Sequence, residues 1–115
     1  MATPNLTTQV RQLNGTSVID IIGEVTGQAE NALMDAYAKA NDFGAKSIIL
    51  NFEQLQYLNS SGIGLLVTIL IRAQRQKQSL LACGLSEHYK EIFQLTRLDE
   101  AIGIFDNEAS ALASV

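Results

Sequence analysis

The chain has 115 residues, 47% of them apolar and 17% charged, and twelve acids against eight bases leave a net charge of −4. That length makes one domain with a core of its own, and the composition excludes a disordered or fibrous chain. A negative chain with no tryptophan, three tyrosines and four phenylalanines is a poor partner for nucleic acid or for an anionic membrane surface.

The N-terminal stretch Met1-Ala2-Thr3-Pro4-Asn5 has no basic patch leading into an apolar run, so no signal peptide is expected. Two β-like runs follow, Thr8 to Leu13 and Ser17 to Val25, separated by Asn14-Gly15-Thr16. Asn-Gly between such runs predicts a hairpin, because both residues tolerate positive φ. In the second run Val18, Asp20 and Ile22 alternate with Ile19, Ile21 and Gly23, which predicts one face more polar than the other.

From Gln28 to Asn41, Ala29, Leu33, Ala36, Tyr37 and Ala40 recur at helical spacing and predict one buried stripe. Asp35 precedes Lys39 by four residues, a supporting pair, and Gly44 follows as the stop. Lys46 to Phe52 and Ser79 to Leu85 hold apolar runs typical of strands covered on both faces. Between them a helix is predicted from Ser60 to Lys77, reached from the first of these strands by a short loop. Its apolar run from Ile63 to Ile71 is nine residues, broken by Thr68, where a membrane span needs about 20. Ser86 starts another helix, Glu87 to Leu95, with Tyr89, Ile92 and Phe93 inward. Ala101 to Phe105 reads as a last strand, and Asp106 or Asn107 caps a short Ala-rich helix. The expected fold is a single α/β domain over residues 1–115. Its mixed sheet begins with an N-terminal hairpin, continues in helix–strand units and packs against about four helices.

Enzyme constellations are mostly absent from the sequence. No Gly-rich phosphate loop occurs, His88 is the one histidine, and the serines near Gly62 do not form a Gly-x-Ser-x-Gly elbow. Neither a cofactor nor a metal is implied, and no catalytic residue is assigned. The single cysteine, Cys83, falls in a buried strand and suits a reducing, cytoplasmic setting as an inert apolar filler.

The informative stretch is Leu58-Asn59-Ser60-Ser61-Gly62-Ile63-Gly64-Leu65, where the chain enters the central helix. Its small polar residues are suited to capping the helix's open N–H groups, with Gly62 and Gly64 allowing close approach to the sheet. Helical spacing places Ile63, Leu66, Val67 and Leu70 on an inward face and Ser61, Gly64, Thr68, Arg72 and Arg75 on a second stripe. Leu65 and Ile69 flank that stripe. Either another part of the chain covers them, or the stripe with its aliphatic edges docks another protein.

The order of elements, Ile22-Gly23-Glu24-Val25, Ile48-Ile49-Leu50-Asn51-Phe52 and Asn59-Ser60-Ser61-Gly62-Ile63-Gly64 together resemble a STAS domain, and within it the single-domain bacterial anti-sigma factor antagonists. The likeness runs from about Thr8 to Ala109. It implies a phosphorylation-controlled binding switch in a STAS-like fold. The unphosphorylated form docks on an anti-sigma factor serine/threonine kinase and so releases a sigma factor; a PP2C-type phosphatase restores that form. It implies Ser60 as phosphoacceptor, Ser61 being the lesser candidate. The implied partner surface takes in Leu58, Asn59, Ser61, Gly62, Gly64, Leu65, Thr68, Ile69 and Arg72. Two positions depart from the family pattern, Asn59 and Thr26, where Asp is usual. A reading of another class is a STAS assembly module that is never phosphorylated, such as a stressosome-like scaffold or a transport-accessory subunit. The sequence leaves the oligomeric state open.

Overall fold

The computed structural model describes residues 5–115, so the reading of the first four residues lies outside it. Strand β1 (Leu6–Leu13) turns back as β2 (Thr16–Val25) through Asn14 and Gly15, whose φ values of 45° and 82° are those of a type I′ hairpin. A short 3-10 turn (Gly27–Ala29) leads into α1 (Glu30–Asp42), after which Gly44, at φ 72°, ends the helix. Then come β3 (Ser47–Asn51), β4 (Leu55–Leu58), α2 (Ser60–Arg75) and β5 (Ser79–Cys83). The chain finishes with α3 (Glu87–Leu95), a 3-10 turn (Leu98–Glu100), β6 (Gly103–Phe105) and α4 (Glu108–Ala113).

The sheet runs β1-β2-β3-β5-β6, with β1 antiparallel to β2 and the later pairings parallel. This is the mixed sheet with helix–strand units that the alternation of elements predicts. β4 is an addition, since the sequence reads as a loop there. It pairs parallel with the end of β2, after a register shift between Gly23 and Glu24. Gly23 has φ 107°, and a Cβ there would lie 2.1 Å from the carbonyl oxygen of Asn5, so only glycine fits the shift.

Helices α1, α2 and α3 cover one face of the sheet. Ile19, Ile21, Ile48, Leu50, Leu80 and Ala82 meet Leu33, Tyr37, Leu66, Ile69 and Phe93 there in one core. On the other face Val18, Ile49, Leu81 and Cys83 lie under Ala111 of α4. Covering on both sides explains why Ile48-Ile49-Leu50 of β3 and Leu80-Leu81-Ala82 of β5 are apolar on both faces. The polar face expected of β2 survives at Asp20, which bonds Arg11 and Asn51, and at Glu24, which accepts from the Asn5 side chain. No helix among the described residues is long and apolar enough to cross a membrane.

Candidate functional site

The site forms where β2, β4 and α2 meet. Asn59 is extended (φ −109°, ψ −178°), and its side-chain oxygen accepts from the Gly62 N–H at 2.9 Å, capping α2. Its own N–H donates to the carbonyl of Val25 at 3.3 Å, tying the cap to the end of β2. Close packing at this junction is strict. A Cβ on Gly62 would lie 2.1 Å from the Val25 oxygen and 2.8 Å from Leu58 Cδ1, so the helix can start here only with glycine. Gly64 differs from the expectation that both glycines serve close approach: a Cβ there meets nothing within 4 Å, and the residue is exposed.

Ser60 and Ser61 are the first two residues of α2, and both are exposed. Their environments differ. Ser61 sits beside the 3-10 turn, its Cβ 3.5 Å from where a side chain on Gly27 would begin. Ser60 begins the outermost line of the helix, continued by Gly64, Val67 and Ile71. Behind the serines, Leu58 is buried, and its N–H donates to the Tyr89 hydroxyl at 3.0 Å, which fixes the loop to α3.

The orientation of α2 corrects the predicted faces. Leu65 is 9% exposed and Ile69 0%, so both belong to the core with Leu66 and Ala73 and form no part of an outer surface. Val67, placed inward by spacing, is 36% exposed, and Ile71 is 45% exposed. The helix is apolar nearly all round, so periodicity alone left its rotation undetermined by most of a right angle. Of the two alternatives for Leu65 and Ile69, cover by the chain itself is the one realised. Thr68 and Arg72 lie on the flank toward α1, Thr68 donating to the Gly64 carbonyl at 3.1 Å. Arg72 lines a concavity with Tyr37, Ala38, Asn41, Asp42 and Arg75. Burial pushes the Tyr37 hydroxyl pKa up, and the nearby Arg72 cation partly opposes this.

The surface therefore consists of exposed Ser60, Ser61 and Gly64, the aliphatic Val67 and Ile71, and exposed Tyr57 at the end of β4. The last three escaped sequence reasoning. A Val and an Ile at seven and eleven residues from Ser60 do share its line on a helix, which is the signal that could have found them. Thr26, at one of the departures from the family pattern, still caps the 3-10 turn, accepting from the Gln28 N–H at 3.4 Å. His88 is exposed, its ring tilted 60° to that of Tyr89 with ring centres 5.0 Å apart. Among the described residues no three of His, Cys, Asp or Glu come together to hold a metal.

The serine-bearing start of α2, capped by extended Asn59 and pinned to the end of β2, falls in the stretch that resembles a STAS domain. The STAS family model matches residues 7–111, and the chain belongs to that family. Among characterised relatives it is 19% identical over 103 residues to BtrV of Bordetella bronchiseptica, named as a candidate anti-sigma factor antagonist. That match covers 90% of this chain and 89% of BtrV. The fold is also that of an anti-sigma factor antagonist from Mycobacterium paratuberculosis (TM-score 0.84, 20% identity, 100% of this chain and 98% of that one). The phosphorylated form of the Bacillus cell-fate determinant SpoIIAA is a further match (TM-score 0.72, 24% identity, 94% of this chain and 98% of that one).

Proposed function

We propose that the chain is a phosphorylation-controlled partner switch acting through Ser60. In the unphosphorylated state the start of α2 and its outer line dock on an anti-sigma factor serine/threonine kinase, which frees a sigma factor or an analogous target. The kinase phosphorylates Ser60, and a PP2C-type phosphatase reverses the modification. One observation carries the reading: Ser60 is exposed at the first position of α2, in line with exposed Val67 and Ile71. A hydroxyl there is open to a kinase and lies within the surface that its own phosphate would alter.

Phosphate adds about −1.5 to −2 charge. Within the domain that charge sits at a helix N-terminus, where the open N–H groups and the dipole favour an anion. Disruption therefore falls on the partner, whose facing groups lose a neutral, partly apolar contact. An unfavourable term of several kcal/mol there lowers affinity about a thousandfold.

The test is intact-mass analysis and peptide mapping of the protein from its own host, before and after serine phosphatase. A phosphatase-sensitive phosphate on Ser60 supports the switch. Its absence under all growth and stress conditions would favour the assembly module, a reading to which neutral Asn59 and Thr26 lend weight.

A further inference from the structure

β1 is the terminal strand of the sheet, and its outer edge is long and regular. The bond from Glu24 N–H to the Asn5 carbonyl (3.0 Å) makes Asn5 and Glu24 a hydrogen-bonded pair of the antiparallel ladder. Alternation along that ladder turns the backbone groups of Thr7, Gln9, Arg11 and Leu13 toward β2. Those of Thr8, Val10 and Gln12 point away from the sheet, and no strand among the described residues pairs with them.

Exposed edges are ordinarily blunted by lysine, proline, a bulge or shortness. None of these devices is present in β1. Its eight residues, Leu-Thr-Thr-Gln-Val-Arg-Gln-Leu, pair with β2 without a register shift. Its one charge, Arg11, is held against the α4 face by Asp20 and Glu108 rather than guarding the edge. The opposite edge, β6, has three residues and runs into Asp106.

We propose that β1 is a self-association edge, which pairs antiparallel with β1 of a second copy about a two-fold axis at Val10. Val10 then exchanges backbone bonds with Val10 of the second copy, and Thr8 does so with Gln12 of the second copy. A second copy fits better than a foreign strand because the seam is self-complementary, as a two-fold contact must be. No uncompensated charge lies along it. Behind it, between β1 and α1, a groove of about 540 Å³ is lined by Thr8, Val10, Ala32, Asp35, Ala36 and Lys39. Asp35 and Lys39 form no ion pair with each other or with other described residues. The axis sets α1 antiparallel to its copy, so that each Asp35 faces the Lys39 of the other. Ser60, Val67 and Ile71 are not among the residues that line this groove.

The test is sedimentation equilibrium of the full chain from about 1 μM to about 1 mM, a range that captures weak pairing, combined with amide hydrogen exchange. The expected result is a doubling of mass with concentration, during which the amides of Thr8, Val10 and Gln12 gain protection and those of Thr7, Gln9 and Arg11 do not change. Gln12→Pro removes an outward N–H that β2 does not use, and Thr8→Lys adds a guarding charge; each weakens association at least about tenfold while the Thr7, Gln9 and Arg11 amides report an intact β1–β2 ladder. A chain monomeric throughout overturns the proposal, as does a dimer that survives both variants with those three amides unchanged. Protection of the three amides only when another protein is added would give the edge to that protein's strand and likewise overturn self-association.

Discussion

Arg11 on the edge strand and Glu108 on the last helix are 97 residues apart in sequence, yet both terminal nitrogens of the guanidinium bond the Glu108 carboxylate. The same guanidinium holds Asp20 at 2.8 and 2.9 Å, and Asn51 bonds both carboxylates. One arginine thus fastens α4 to the sheet, over Val18, Ile49, Leu81 and Cys83. Arg11→Ala should cost about 1–2 kcal/mol in urea unfolding, the group being partly exposed to water. It should also speed labelling of the Cys83 thiol, because α4 is the cover that comes loose. Unchanged stability together with unchanged labelling would show that α4 is held by its apolar contacts alone.

Alkaline pH provides a second test on the same face. Burial, with lesser contributions from Glu108 and other nearby carboxylates, pushes the Cys83 thiol up to about 11, against about 8.5 in an unfolded chain. Between those values the folded state keeps a proton that the unfolded state has lost. Stability from this group is therefore complete below the unfolded value and is lost as pH rises through the folded one. Wild type minus Cys83→Ala, measured by thermal unfolding from neutral pH upward, should fall across that window. A flat difference would mean that the thiol is not held away from water. The raised Tyr37 hydroxyl acts with the same sign but is common to both proteins.

The two glycines of α2 should separate cleanly. Gly62→Ala drives a methyl group into the Val25 carbonyl and the Leu58 side chain, and a loss of at least about 2 kcal/mol is expected. Gly64→Ala meets open space and removes a flexible residue from a helix, so a gain of up to about 1 kcal/mol is expected. Urea denaturation of both variants decides the matter. Equal costs would contradict the packing described for the helix start.

A negative charge on Ser60 should not weaken the fold. Ser60→Asp places a carboxylate on the first residue of α2, where the helix dipole contributes about 0.3–1 kcal/mol in its favour. Thermal unfolding should show an unchanged or slightly raised midpoint, while binding to the proposed kinase partner falls about a hundredfold or more. Marked destabilisation would mean that the switch works by melting the helix start. Asn59→Ala, which deletes the bond to the Gly62 N–H, should by contrast lower stability by about 1 kcal/mol.

Several elements were legible because a local signal and the tertiary outcome agree. Asn14-Gly15 forms the predicted turn, the stripe from Ala29 to Ala40 is buried, and Ser86 caps α3. β4 left no such mark, since Leu55-Gln56-Tyr57-Leu58 is four residues long and owes its extended form to pairing with the end of β2. The outer face of α2 was misplaced because Ile63, Leu65, Leu66, Val67, Ile69, Leu70 and Ile71 surround the helix almost completely. Which of them turn inward is decided by Gly62, whose contact with Val25 fixes the helix against the sheet. That is a long-range fact about β2, and no window of sequence around α2 contains it.

The anchoring of Asn59 to Val25 and of Leu58 to the Tyr89 hydroxyl bears on how fast such a site responds. Backbone already held in its bound shape loses little further freedom when a partner arrives, so recognition proceeds as the docking of two rigid bodies. In the switch proposed here no disordered loop would have to be recruited, and no folding event would intervene between removal of a phosphate and readiness to bind. The lag of such a response would then be set by enzyme turnover and diffusion, and the domain itself would add no memory of its former state.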